Sequence, residues 1–339
     1  EMMVTIMQLK ERKPFLKKIL ALASAQPAIA SMAALVLIGI LLYGTMFFNA
    51  VNLRNILRLS STLAVLAMGL NVVILAGGID LSGGAILALS GVVAAYLQNF
   101  GPAAMVVGAI LVGLAAGTIN GLLVAKVRIA PFIATLSTQL GIRGIAYLST
   151  EGAKSVMIDA SSPFLLLSEG LNIFIFSVPF LIALALCAIL TYCLKNRRFG
   201  RHVYAVGGNA EAARMIGVQN DRIIIGTYMI SGMTAALAGI LMAARAISGV
   251  PTSGQNTTLE AIAAVIIGGT ILTGGKGKVS GALLGAIIFC IISNLINTYG
   301  DINAYVTNFI TGTLVLLVAL IQATVQRHKQ YDSKNSRDN

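Results

Sequence analysis

The chain has 339 residues, of which 57% are hydrophobic and only 11% charged, with 35 Gly and no Trp. A soluble domain carries about 25% charge, so this composition excludes one and indicates an integral membrane protein. The net charge of +12 does not argue for nucleic acid, because the basic residues gather at the N-terminus, in a central loop, in short turns and in the tail, which is a topology signal.

Windows of about 20 apolar residues predict ten transmembrane helices. They fall at 28–48, 55–76, 84–99, 103–125, 129–149, 172–194, 222–247, 259–273, 279–299 and 304–325. The expected fold is all-α and polytopic, a single transmembrane domain over 28–325 between an N-terminal segment 1–27 and a tail 326–339. Lys10, Arg12, Lys13, Lys17 and Lys18 place the N-terminus in the cytoplasm. This cluster and the ASA at 23–25 imitate a cleavable signal, but the ILALA between them is too short for its apolar core. Counting forward, the turn with Lys126 and Arg128, the central loop 195–222, the turn with Lys276 and Lys278, and the tail with Arg327 and Lys329 all fall inside. The segments 149–171 and 248–258 fall outside. The first of these is mildly acidic, with Glu151, Asp159 and Glu169 against Lys154.

The third and eighth spans are short or interrupted by glycine. Before the third lies GGIDLS at 77–82, where Asp80 is an ionisable group beside a hydrophobic run. Such a group must be paired, hydrated or neutralised, so it can serve as a gate or pathway residue near the mouth of a translocation route. It can equally serve as a helix N-cap, with Asp80 or Ser82 capping the third span. Polar residues inside the spans are further pathway candidates: Asn71, Asn120, Thr135, Thr138, Gln139, Arg143, Asn294 and Asn297. Amides both donate and accept, as a hydroxylated solute requires, and polar bonding between helices is the competing explanation. A charge within a span, as at Arg143, must face protein or water.

Cys187, Cys193 and Cys290 lie in or at the end of apolar runs, and His202 and His328 sit in polar segments, so neither a disulfide framework nor a metal site is expected. The loop 195–222 is the longest internal polar interruption. It carries Lys195, Arg197, Arg198, Arg201, Arg214 and Arg222 against Glu211 and Asp221. Within it AEAARMI reads as a short helix, with Asn209 as N-cap, Glu211 in the first turn and Gly217 at a left-handed C′ position. A capped helix presented on the cytoplasmic face suits a docking element for a soluble partner.

Further on, Glu260 stands at the outer end of its helix, where a carboxylate favours the N-terminal dipole. GGTILTGGKGK at 268–278 imitates a phosphate loop, but Thr270 occupies the first glycine's place and Gly277 follows Lys276, so it is not one. No catalytic arrangement is present, and ATP is not expected to bind this chain. An internal echo is visible, since residues 77–84 and 268–275 both read GGxxL[ST]GG. Interrupted segments of this kind point to a transport path. Both follow helices running the same way through the membrane, which does not fit an inverted repeat.

GRHVYAVGGNAEAARMIGV at 200–218, with Glu211-Ala212-Ala213 and Gly217 in an EAA---G pattern, resembles the cytoplasmic loop of permease subunits of ribose-type ABC sugar importers. GGIDLS at 77–82 is similar to that family's GGIDLSVG, with Gly83 in place of valine. LEAIAAVIIGGT at 259–270 looks like its acidic segment, with Thr258 and Glu260 where the family has Glu and Asp. The resemblance runs from about Val51 to Val325. It implies a type II-like permease of the bacterial inner membrane, multi-pass, with both termini cytoplasmic, that translocates a monosaccharide and is not itself an enzyme. It also implies a second permease copy or paralogue, ABC ATPase subunits that bind ATP and Mg, and a periplasmic or lipid-anchored sugar-binding protein. Asn209, Ala210, Glu211, Ala212, Ala213, Arg214 and Gly217 become the ATPase-coupling residues, and 149–171 with 248–258 the face for the binding protein. Asn71, Asp80, Asn120, Gln139, Arg143 and Asn294 are the pathway candidates. The alternatives are a permease of the same class for a nucleoside, a branched-chain amino acid or another small polar solute, and an ATP-independent secondary transporter. The last would need a buried acid–base relay, for which Asp80, Arg143, Arg245 and Glu260 are available.

Overall fold

The structure is a computed structural model that describes residues 27–169 and 176–298, with Val306, Phe309, Gly312 and Thr313 beyond them. Most of the expected span at 304–325, the tail, residues 1–26 and the start of the expected span at 172–194 lie outside the described residues. The helices of six or more residues are α1 (Pro27–Tyr43), α2 (Ala50–Leu75), α3 (Gly83–Tyr96), α4 (Pro102–Ala125), α5 (Pro131–Ser149), α6 (Val178–Asn196), α7 (Arg198–Gly208), α8 (Ala210–Met215), α9 (Asn220–Ala246), α10 (Thr257–Ile267) and α11 (Val279–Thr298). Among the described residues five of these, α2, α4, α6, α9 and α11, are long and apolar enough to cross a membrane.

Local chemistry sets the boundaries. Asn49 caps α2 by accepting from the Asn52 N–H at 2.8 Å, so this helix starts before the expected residue 55. Pro102 and Pro131 open α4 and α5 at the position where a missing N–H costs nothing. α2 is the spine, with every residue from Ser60 to Leu75 buried. α9 lies along α4 on a glycine face: a Cβ on Gly113 or Gly117 would overlap the backbone of Gly232 or Tyr228, and one on Gly121 would come 2.7 Å from Ile225 Cα. Backbones approach this closely only where side chains are absent.

Two ends of the bundle are marked by bonds between distant segments. At one, β1 (Val156–Met157) pairs antiparallel with β2 (Ser248–Gly249), and Gln98 donates to the Met157 carbonyl at 3.0 Å. At the other, Lys126 bridges to Asp221 at 2.9 Å. The segments 149–171 and 248–258, expected on one side, therefore meet through a sheet, and the basic turns gather at the opposite end.

Two spans differ from expectation in length. α3 has 14 residues and α10 has 11, about 21 and 17 Å at the rise of an α-helix, too short for a hydrocarbon core of about 30 Å. Gly268 and Gly269 stop α10 at Ile267 rather than at 273, with Gly269 at φ +89°. α2 ends in the same way, on Gly77 at φ +83°. Both non-helical stretches lie towards the basic end and touch there, since a Cβ on Gly274 would come 2.9 Å from Gly77 Cα.

Candidate functional site

The central loop is more ordered than its polarity suggests. α7, absent from the sequence expectation, fills its first half and buries Gly200, Val203 and Val206 against the bundle. Phe199 on α7 packs where a Cβ on Gly226 of α9 would reach 2.9 Å from its ring. The signal was the spacing of Phe199, Val203 and Val206, one stripe of a helix hidden among basic residues. Tyr204 donates to the Gly277 carbonyl at 3.0 Å, and burial holds its phenol above the usual range, so it remains a donor.

α8 follows after Asn209 alone and has both of the ends expected of it. Asn209 Oδ1 accepts from the Ala212 N–H at 3.0 Å. At the far end Gly217 takes φ +85°, its N–H donates to the Arg214 carbonyl at 3.0 Å, and the Val218 N–H donates to the Ala213 carbonyl at 3.0 Å. These are the two bonds of a Schellman cap. Asn220 ties the element to the start of α9 by donating to the Ala210 carbonyl at 2.7 Å. Ala213 is buried, whereas Glu211, Arg214, Met215 and Ile216 are exposed, with Met215 at 86% and Ile216 at 77%. Two large apolar side chains are thus exposed at the end of this capped, polar element.

The second site is a buried polar knot. Asp80 is 1% exposed. Its Oδ1 accepts from the Ser82 N–H at 2.9 Å and the Ser82 hydroxyl at 2.6 Å, and its Oδ2 accepts from the Ser231 hydroxyl at 2.7 Å. Asn120 donates to Ser82 Oγ at 2.8 Å and accepts from the Thr138 hydroxyl at 2.6 Å. One chain of bonds thus joins the 77–82 segment to α4, α5 and α9. Asp80 bonds at the foot of α3, but Ser82 occupies the cap position and its own side chain makes no capping bond. Among the described residues no basic side chain pairs with Asp80, so three neutral donors serve in place of a counter-charge.

Arg143 lies one helical turn beyond Gln139, which lies one turn beyond Thr135, on the same face of α5. Its guanidinium donates to the carbonyls of Pro251 at 2.7 Å, Ser253 at 2.5 Å and Gly84 at 3.1 Å, pinning the segment after β2 to the start of α3. Thr258 closes the same joint by accepting from the Gly84 N–H at 2.7 Å. Asp80, Asn120, Thr138 and Arg143 are therefore held in one region around α5.

Asn71 and Asn294 stand elsewhere. Asn294 exchanges two amide bonds with Asn52 on α2, at 2.9 and 3.2 Å. Asn71 is wholly buried in α2, and neither polar atom of its amide has a hydrogen-bond partner among the described residues. Gln139 is half-buried. Ser231 was missed by the sequence reading; Thr227, Ser231 and Thr234, spaced three or four apart within the apolar run of α9, were the signal that could have found it. Glu260 lies in the first turn of α10, as expected.

The family model described as "Branched-chain amino acid transport system / permease component" matches residues 52–319. The chain is 39% identical over 278 residues to the ribose import permease protein RbsC of Haemophilus influenzae, covering 81% of this chain and 85% of that one. Against the ribose import permease protein RbsC of Escherichia coli K12 the identity is 38% over 279 residues, covering 81% and 86%. The fructose import permease protein FrcC of Rhizobium meliloti is 34% identical over 312 residues, covering 90% and 86%. No solved structure matches the chain.

Proposed function

The chain belongs to the branched-chain amino acid transport system / permease component family, and on that premise we propose that it is the membrane subunit of an ATP-driven, binding-protein-dependent importer of a monosaccharide. Members of this family translocate a solute and leave ATP hydrolysis to a separate subunit. The observation that carries the coupling reading is α8, doubly capped, with Met215 and Ile216 presented to solvent at its end. Asn209, Ala210, Glu211, Ala212, Ala213, Arg214 and Gly217 form the docking element for an ABC ATPase that holds ATP and Mg. This end faces the cytoplasm, and the β1–β2 end receives the periplasmic or lipid-anchored binding protein. Ten spans with both termini inside remain our reading of the whole chain, with two permeases forming the route.

Among the pathway candidates the polar atoms of Asp80, Asn120, Arg143 and Asn294 bond to protein, as structural polar groups do. Asn71, with an amide unbonded among the described residues, and Gln139, on the polar face of α5, are the better candidates to meet the solute. A branched-chain amino acid is the second reading, favoured by the family's own description.

The test is reconstitution in proteoliposomes with the co-encoded ATPase and binding protein, following labelled ribose, fructose and leucine. ATP-dependent uptake of a sugar is expected. Uptake of leucine alone would transfer the assignment to the second reading, and uptake without ATP would overturn both.

A further inference from the structure

One contact stands between the docking element and both interrupted helices, and it contains no side chain. Gly207, two residues before Asn209, lies so close to the end of α2 that a Cβ there would overlap the Leu75 carbonyl oxygen and come 2.7 Å from Gly275 N. The Gly275 N–H donates to that same Leu75 carbonyl at 2.9 Å. A Cβ on Gly274 would come 2.9 Å from the Gly207 carbonyl oxygen and 2.9 Å from both Gly77 N and Gly77 Cα. One on Gly275 would come 2.8 Å from Gly208 Cα. Three pieces of backbone, the 75–77 end of α2, the 207–208 end of α7 and the 274–275 turn between α10 and α11, therefore touch directly. One helical turn earlier Tyr204 ties α7 to the same turn through the Gly277 carbonyl at 3.0 Å.

We propose that Gly207, Gly274, Gly275 and Tyr204 are positioning residues that transmit displacement of α8 to the two interrupted segments at once. The proposal rests on the importer reading above. Side chains in a contact can change rotamer and absorb a small shift, whereas touching backbones cannot, so such a joint is stiff. Asn209 alone separates Gly208 from α8, which leaves little length in which a displacement could be lost. α2 ends on Gly77, within the joint, and α10 ends on Gly269, ahead of the 274–275 turn, both at positive φ, where the backbone can turn between conformations at little steric cost. The contact thus joins the docking element directly to the ends of both interrupted segments.

Neighbouring glycines supply the control. A Cβ on Gly208 would meet nothing within 4 Å, and its φ is not positive, whereas Gly207 has backbone on two sides. The full chain, assembled with its ATPase and binding protein in proteoliposomes, is assayed for ATP hydrolysis and for ribose, fructose and leucine uptake as Gly207→Ala, Gly208→Ala and Tyr204→Phe. In Gly207→Ala the ratio of solute taken up to ATP hydrolysed is expected to fall by about fivefold or more, with the ATPase still bound. Tyr204→Phe keeps the ring and should lower the same ratio less, at an unchanged melting temperature, while Gly208→Ala matches the parent. An unchanged ratio in Gly207→Ala, or an equal fall in Gly208→Ala, overturns the joint. If Gly207→Ala does not assemble, an unchanged ratio in Tyr204→Phe overturns it instead. Absence of ATP-dependent uptake of all three solutes by the parent overturns the importer reading, and is thereby told apart from failure of the joint.

Discussion

At the scale of single residues, the buried carboxylate of Asp80 decides how the first interrupted segment is held. All three of its bonds come from Ser82 and Ser231. Removing a donor leaves a carboxylate oxygen desolvated and unmatched, which costs about 1–3 kcal/mol. Ser231→Ala and Asp80→Asn should each destabilise the detergent-solubilised protein by about that amount, and the pair together by less than the sum, because the interaction can be lost only once. Denaturation midpoints of the four proteins check this, with uptake following the folded fraction. A change in substrate affinity at unchanged stability would instead make Asp80 a residue of the route.

At the scale of elements, the ends of α8 show how local rules survive in a large protein. Gly217 sits at φ +85° with open space around its missing Cβ, so a substitution there meets strain and no clash. Gly217→Val should therefore cost roughly 1–2 kcal/mol and uncouple ATP hydrolysis from uptake. Gly217→Asn, which tolerates the left-handed region, should stay near the parent. Equal uptake in all three would remove the cap from the mechanism. Caps were legible in the sequence because Asn209 and Gly217 act on amides a few residues away. The existence and order of the apolar helices within the described residues were legible for a similar reason, as each is a property of its own composition. Helix ends were read less well: Arg54 and Arg58 lowered the hydropathy of the first turns of α2, and the apolar residues after Gly269 masked the stop of α10. Several residues of the knot and of the glycine joint stood out singly, but which of them pair was not legible. Their partners lie far apart along the chain, and neither serine nor glycine marks a window by its hydropathy.

At the scale of the whole molecule, the β1–β2 pair brings together the segments 149–171 and 248–258, which come from either side of the loop 195–222. This end carries exposed acidic groups. Glu151 is bonded by Lys154 at 3.1 Å, and Asp159 accepts from both the N–H and the hydroxyl of Ser161 at 2.8 Å. Those bonds hold the Asp159 carboxyl below the usual carboxylate range, so its charge is retained as the medium becomes mildly acidic. The side chain of Glu169, expected to share this role, lies outside the described residues. A binding protein with basic groups would be guided by such charges more than held by them. Replacing Glu151 by Gln and Asp159 by Asn together should lower uptake at limiting substrate through slower association, with the ATPase still bound. The gap should shrink at high salt. An effect equal at all ionic strengths would remove this surface from the encounter.

The polar knot also fixes a time. Asp80 and Ser231 are separated by 151 residues, so at synthesis rates of about 5–20 residues per second the carboxylate is made roughly 8–30 s before its second partner exists. During that interval α3, too short to cross on its own, carries at its foot a buried acid with an incomplete shell. The insertion machinery must shelter this segment, or leave it at the headgroup layer, until α9 has been delivered. Closure of the bundle therefore waits on the second half of the chain.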